Sequence, residues 1–101
     1  MALACLVAFL GAAPAFAQDT GDPSAGRRVA TAWCVNCHAF PGSGRVVATG
    51  APSFPAVAAN RAITPLALRA FLQTPHERMP DLHLSNNETD DLIAFILSFR
   101  K

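Results

Sequence analysis

The first amphipathic stretch of the chain predicts a helix that begins near residue 22. Asp22 or Ser24 can cap this helix, and a proline between them suits its first turn. The residues of one helical face recur at i, i+4, i+7 and i+11: Gly26, Ala30, Trp33 and Cys37. Two of these residues are small, so another helix can approach closely, and Trp33 is expected to pack in the core.

A short helix is predicted in the second half of the chain. Thr64 is a good N-cap, and the proline that follows it suits the first helical position. Leu68, Phe71 and Leu72 then mark one apolar face. The helix is expected to end before Pro75, and the chain from residue 75 to 85 to be extended or looped.

The last helix has the strongest start signal in the chain. Ser85 and Glu88 form a capping box, with serine at the N-cap and glutamate at N3. Carboxylates near its start and basic residues after its end suit the helix dipole. Two apolar stripes follow: Leu92, Phe95, Ile96 and Phe99, and then Ile93 and Leu97. A helix that is apolar on most sides is expected to contact more than one partner.

Residues 39 to 63 interrupt the helical pattern with three glycines and three prolines. This stretch predicts a long irregular loop with at most one helical turn, around Ala56 to Asn60. A loop of this length in a small domain usually has a function or a ligand. We expect residues 51–54, Ala-Pro-Ser-Phe, to lie near His38.

The N-terminal segment is typical of a secretory signal peptide. An apolar run at residues 3–10 is followed by Ala15-Phe16-Ala17, an A-x-A cleavage site, and then by polar residues. We expect cleavage after Ala17, so that residues 1–17 are the leader and residues 18–101 form one domain in the periplasm. The apolar run is too short to span a bilayer, and no membrane span is expected in the mature chain.

Charge excludes one class of partner. Eight Lys and Arg residues oppose seven Asp and Glu residues, so the protein is nearly neutral. A nucleic-acid-binding domain usually carries a basic patch, and the only lysine is Lys101. We therefore expect no nucleic-acid partner.

The run Cys34-Val35-Asn36-Cys37-His38 is the attachment motif of a c-type haem. Two thiols at this spacing lie on one side of a helical turn, where each can form a thioether with one vinyl group of a porphyrin. The histidine that follows is then carried over the ring face and can bind the iron. The motif therefore predicts one covalently bound haem, with its iron held by His38.

Three other interpretations of the same cysteines remain open. A zinc site needs further ligands, and the separation of His76 and His83 is longer than the usual His-x3–5-His. A thiol–disulfide oxidoreductase would use Cys34 as the nucleophile and Cys37 as the resolving thiol, but it needs a βαβ context that the sequence does not suggest. A simple structural disulfide is the third alternative.

Met79 is the candidate for the second axial ligand. It is the only methionine left after leader removal, and it precedes a proline in a loop rather than lying on an apolar helix face. A soft thioether is a good sixth ligand for haem iron and raises its reduction potential. His76 and His83 are the alternative ligands.

Together these features resemble the class I c-type cytochromes, the small monohaem family of bacterial periplasms. The resemblance covers the mature chain: a Gly-bearing first helix that ends in Cys34-x-x-Cys37-His38, then Ala-Pro-Ser-Phe, a Thr-Pro helix, Met79-Pro80 and a last helix. It implies an all-α cytochrome c fold, with three main helices and long loops wrapped around one haem. It also implies that the first and last helices cross near Gly26 and Phe95, and that the Pro52 carbonyl accepts a hydrogen bond from His38.

Function follows from the two axial ligands. If His38 and Met79 fill both positions, the iron has no open position for a substrate, so we expect a one-electron carrier and not an enzyme. Redox partners such as a dehydrogenase, a reductase or a terminal oxidase would dock transiently at the exposed haem edge. The alternatives are a fixed electron-relay subunit of a periplasmic dehydrogenase and the thiol–disulfide oxidoreductase.

Overall fold

The computed structural model describes residues 11–12, 21–44, 50–74 and 79–101. Nearly all of the predicted leader, the site of its cleavage and His76 lie outside these residues. The described part contains four helices: α1 (Pro23–Trp33), α2 (Phe54–Ala59), α3 (Pro65–Gln73) and α4 (Asn86–Leu97). The all-α class is confirmed. None of the described helices combines the length and the hydropathy that a bilayer crossing requires.

Each helix begins where a side chain caps its free backbone N–H groups. In each helix, a side-chain oxygen of the N-cap residue accepts a hydrogen bond from a backbone N–H two or three residues later. The N-cap residues of α1 to α4 are, in order, Asp22, Ser53, Thr64 and Ser85. In the α4 capping box, Ser85 Oγ accepts from the Glu88 N–H at 3.1 Å. The Ser85 N–H in turn donates to Glu88 Oε1 at 3.0 Å. The predicted starts of α1, α3 and α4 are thus confirmed.

Helix α2 is longer than the sequence suggested. It spans Phe54–Ala59, whereas the predicted turn began at Ala56. The Ser53 cap and a proline in the first turn start it two residues earlier, because proline lacks only an N–H that the first turn does not use. This earlier start fixes the backbone of Pro52 and Phe54.

The closest helix contact is that of α1 with α4. A methyl group on Gly26 would overlap the Asp91 backbone carbonyl and would lie 2.7 Å from Phe95 Cβ. Only glycine fits at this crossing, which is the one implied by the resemblance. The α1 N-terminus is also tied to α4, since the Asp22 N–H donates to Asp91 Oδ1 at 2.8 Å.

Helix α4 is the centre of the core and packs against the other three helices. Five consecutive residues of α4, from Leu92 to Ile96, are buried. The partly buried Arg69 of α3 forms a salt bridge with Asp90. At the C-terminus, Arg100 donates to the carbonyls of Ala58 and Ile63, each at 2.8 Å, and so holds the end of α2 against the end of α4.

The prediction for Trp33 was wrong. The side chain is 62% exposed instead of packed in the core. Trp33 is the last residue of α1, and the buried position at this end is taken by its neighbour Cys34, which is 5% exposed. The helical face that contains Gly26 and Ala30 therefore continues into Cys34 and not into Trp33.

Candidate functional site

Both cysteines and the histidine of the motif lie in one tight turn at the end of α1. Cys34 is the C-cap, and its N–H donates to the Ala30 carbonyl at 2.8 Å. The Cys34 carbonyl then accepts from the N–H groups of Cys37 at 3.1 Å and His38 at 2.8 Å. Cys34 is buried, while Cys37 and His38 are half-buried. The turn thus fixes two thiols and an imidazole on a short, well-bonded piece of backbone.

The imidazole of His38 is held by the loop that leads into α2. Its Nδ1 lies 2.7 Å from the Pro52 carbonyl oxygen. A carbonyl can only accept, so Nδ1 is the donor of this hydrogen bond, and in the neutral ring the lone pair is then on Nε2. This is the arrangement of a metal-binding histidine, in which an outer hydrogen bond sets the tautomer and raises the basicity of the ligating nitrogen.

Phe54 supports the same ring from one side. The two rings stack with centroids 5.1 Å apart and an interplanar angle of 29°. The Phe54 N–H donates to the Ala39 carbonyl at 2.9 Å, next to His38. The position expected for residues 51–54, near His38, is therefore observed.

Phe40 also belongs to this support, although sequence reasoning did not single it out. Its ring stacks on Phe54 with centroids 5.3 Å apart and meets Phe95 edge-on at 5.2 Å. The guanidinium of Arg27 lies over both the Phe40 and Phe95 rings and donates to the Pro41 carbonyl at 3.2 Å. In the sequence, Phe40 could have been noticed as an apolar residue inside a loop rich in glycine and proline.

The thiol of Cys34 does not have the properties of an attacking nucleophile. Burial, together with the nearby charge of Cys37, raises its pKa to about 11. A reactive thiol in a Cys-x-x-Cys motif has a pKa below the usual value. Both thiols are free, and the described part of the chain is helical without the βαβ unit of a thioredoxin-like protein. The raised pKa of Cys34 disfavours the oxidoreductase interpretation, in which this thiol would be the nucleophile.

The zinc interpretation also lacks support in the described residues. No three His, Cys, Asp or Glu side chains come together there as a metal site. His83, one of the alternative axial ligands, is exposed and lines a surface pocket instead.

Met79 approaches the core from a different segment. It is half-buried and packs against the core cluster that contains Cys34, Phe54 and Phe95. The structure thus brings four predicted site residues, Cys34, Cys37, His38 and Pro52, into one local unit, while Met79 lies on the same core. This donor set fits haem c: paired thiols on one turn, an imidazole with Nε2 left for a metal, and a thioether.

Comparisons with known proteins agree with this donor set. Residues 21–96 match the family described as cytochrome c oxidase, cbb3-type, subunit III. The chain is also similar to cytochrome c-552 of Bradyrhizobium diazoefficiens, with 36% identity over 86 residues that cover 85% of this chain and 80% of that protein. No solved structure gives a significant match.

Proposed function

We propose that Cys34, Cys37, His38 and Met79 hold the haem of this chain, which belongs to the cbb3-type family of c-type cytochromes. The chain carries a haem c and transfers electrons. The observation that carries the proposal is the hydrogen bond from His38 Nδ1 to the Pro52 carbonyl. This hydrogen bond leaves Nε2 of His38 free to bind iron, and His38 directly follows Cys37, the second cysteine of the motif.

Each residue of the site has a distinct role. Cys34 and Cys37 would form thioethers with the haem and so anchor it to the end of α1. His38 supplies the proximal nitrogen, and Pro52 fixes the ring tautomer. Phe54 limits rotation of the imidazole by stacking on it. Met79 would bind the iron through a soft sulfur, which favours the reduced state and raises the potential.

Electron transfer without catalysis follows from this ligand set. The bound haem supplies a metal that gains and loses one electron. If His38 and Met79 both bound the iron, no position would be left for a substrate, and little would have to rearrange when the charge changes. Phe40, Phe54 and Phe95 form an apolar cluster, which meets one face of the His38 ring through Phe54. We therefore propose an electron carrier that catalyses no reaction of its own.

We place this carrier in the periplasm, after removal of residues 1–17. Redox partners are implied by the function itself. We propose that a dehydrogenase or reductase supplies the electron and that a terminal oxidase or reductase accepts it. The near-neutral charge of the chain favours brief docking through a small interface over strong electrostatic steering.

A second candidate is a fixed electron-relay subunit of a larger complex. The family description, which names a subunit of an oxidase, favours it. Purification from the periplasm and from native membranes solubilised in a mild detergent separates the two. A carrier is recovered alone, whereas a relay subunit is recovered with a large partner at constant stoichiometry.

The test of the site is a mass spectrum of protein matured with a haem-ligation system. The wild-type chain should gain the mass of one haem that resists acid–acetone extraction, and the mature N-terminus should be Gln18. Cys34→Ala and Cys37→Ala should each retain one thioether and show a pyridine haemochrome band at longer wavelength.

The function is tested by an optical redox titration and by exposure of the ferrous protein to carbon monoxide. A reversible one-electron wave without carbon monoxide binding at neutral pH is expected. Rapid carbon monoxide binding by the wild type would contradict the Met79 assignment. Protein without covalent haem would contradict the whole site.

A further inference from the structure

The most exposed aromatic residue in the described chain lies beside the haem anchor. Trp33 is 62% exposed and is the only tryptophan in the sequence. It directly precedes Cys34, so its Cα lies about 3.8 Å from that of the proposed thioether residue. An exposed indole is costly to hydrate, and tryptophan is enriched where protein surfaces dock. Its position indicates a surface close to the porphyrin edge.

Trp33 forms one wall of a surface pocket of about 330 Å³. The other described residues that line this pocket are Asp81, Leu82, His83, Leu84 and Glu88. They come from the segment that follows Met79 and from the first turn of α4. The pocket therefore lies between the segment that carries the proposed covalent anchor and the segment that follows Met79.

The charges of the pocket indicate what it can bind. Asp81 and Glu88 contribute two carboxylates, and the described lining contains no lysine or arginine. Hydrogen bonds from Ser85 lower the pKa of Glu88, so this carboxylate is ionised at neutral pH. Trp33 lines the same pocket as these two carboxylates, and indole is the best aromatic partner of a cation. Two leucines supply apolar walls, which suit the methylene stem of a long basic side chain.

We propose that this Trp33 pocket is the docking site for a redox-partner protein, and that the partner inserts a lysine or arginine side chain flanked by apolar residues. The proposal rests on the electron-carrier function, since it names the surface through which that function operates. Contact of the indole and leucines holds the partner, while the two carboxylates select a basic surface. Such a small patch suits a complex that must dissociate after each electron.

The first experiment uses a cationic probe in place of the partner. Reduced holoprotein is mixed in a stopped-flow instrument with tris(phenanthroline)cobalt(III), which carries three positive charges and apolar edges, or with the anion ferricyanide. The variants are Asp81→Asn with Glu88→Gln, which keeps the capping box, and Trp33→Leu. The matched control is Asp22→Asn, which removes one carboxylate at the opposite end of α1 and preserves the N-cap.

At low ionic strength, the double variant should lose about fivefold or more in rate with the cobalt complex, because each carboxylate attracts a triply charged probe across a short distance. The loss should shrink in strong salt, where the charges are screened. Trp33→Leu should lower the rate at both ionic strengths, since its contribution is contact. Asp22→Asn should retain the wild-type rate within about twofold.

A second experiment locates the contact. The single tryptophan gives one indole N–H resonance, so the ¹H–¹⁵N spectrum of the reduced protein can be titrated with the redox-inert, paramagnetic tris(phenanthroline)chromium(III). The indole signal and the amides of residues 81–84 should broaden first. Broadening that begins elsewhere, for example around Pro52, would overturn the proposal.

Three other outcomes are decisive. Equal cobalt rates in the wild type and in both pocket variants would overturn the docking site, and continued reaction with ferricyanide would leave the electron-carrier function intact. A wild-type protein that exchanges electrons with neither probe would overturn the function as well. A concentration-dependent dimer in sedimentation that Trp33→Leu abolishes would assign the pocket to a second copy of the chain and overturn the proposal.

Discussion

The contact of α1 with α4 at Gly26 offers a sharp test of the fold, through the variant Gly26→Ala. The added methyl group would overlap the Asp91 carbonyl and lie 2.7 Å from Phe95 Cβ. The nearest group is backbone, so no change of rotamer relieves the overlap, and the two helices must separate. Because α4 is the centre of the core, this separation also disturbs its contacts with α2 and α3.

The expected effect is the difference between two opposing contributions. Replacing glycine by alanine inside a helix stabilises it by about 1 kcal/mol. Overpacking a core costs about 1–3 kcal/mol, and an overlap with rigid backbone belongs at the upper end of this range. We expect Gly26→Ala to lower the free energy of unfolding by about 2 kcal/mol, which corresponds to a fall in Tm of about 8–16 °C for a domain of this size.

The assay is guanidinium and thermal unfolding of the holoprotein, followed by far-UV circular dichroism and by the Soret band. The control Ala32→Gly changes an exposed position of the same helix and should cost about 1 kcal/mol, which measures the propensity contribution alone. A Gly26→Ala protein that is as stable as the wild type, or more stable, would refute the close crossing.

Three further predictions concern the second ligand and the cap of α4. Met79→Ala should lose the weak near-infrared charge-transfer band of iron–sulfur(Met) coordination and have a lower reduction potential; an unchanged oxidised spectrum would mean that another group binds the iron. Ser85→Ala removes the side-chain acceptor of the cap and should destabilise the protein by about 1 kcal/mol in urea unfolding, while the neighbouring Asn86→Ala should have a smaller effect. Because hydrogen bonds lower the folded-state pKa of Glu88 below the ordinary value of 4.5, its ionised form stabilises the protein above that value, and this contribution is lost as the pH falls through the lowered pKa. The Tm difference between the wild type and Glu88→Gln should therefore be present at neutral pH and vanish in acid, and a difference independent of pH would refute a role for the charge.

Much of this structure could be predicted from the sequence, because it depends on local interactions. The caps at Ser85 and Thr64 join residues three positions apart, and the turn of the motif is closed by bonds within four residues of Cys34. Each therefore depends only on the residue types within one short segment. Gly26 was also readable, because a small residue on an otherwise apolar helical face indicates a close partner.

The remaining features of the structure depend on contacts between residues that are distant in sequence. The carboxylates of Asp90 and Asp91 suited the helix dipole, but Asp90 pairs with Arg69, 21 residues away, and Asp91 binds the backbone of Asp22, 69 residues away. The stacking of Phe40 on Phe54 likewise depends on how the loop folds back.

Trp33 shows most clearly why helical periodicity alone did not predict which residue is buried. Helical periodicity gives the direction of a side chain from its own axis, and on that basis Trp33 shared a face with Gly26 and Ala30. Periodicity does not say how far the neighbouring helix extends or which residue takes the last buried position. Packing against α4 gave that position to Cys34 and left the indole in solvent, because burial depends on the surfaces that meet and not on the helix alone.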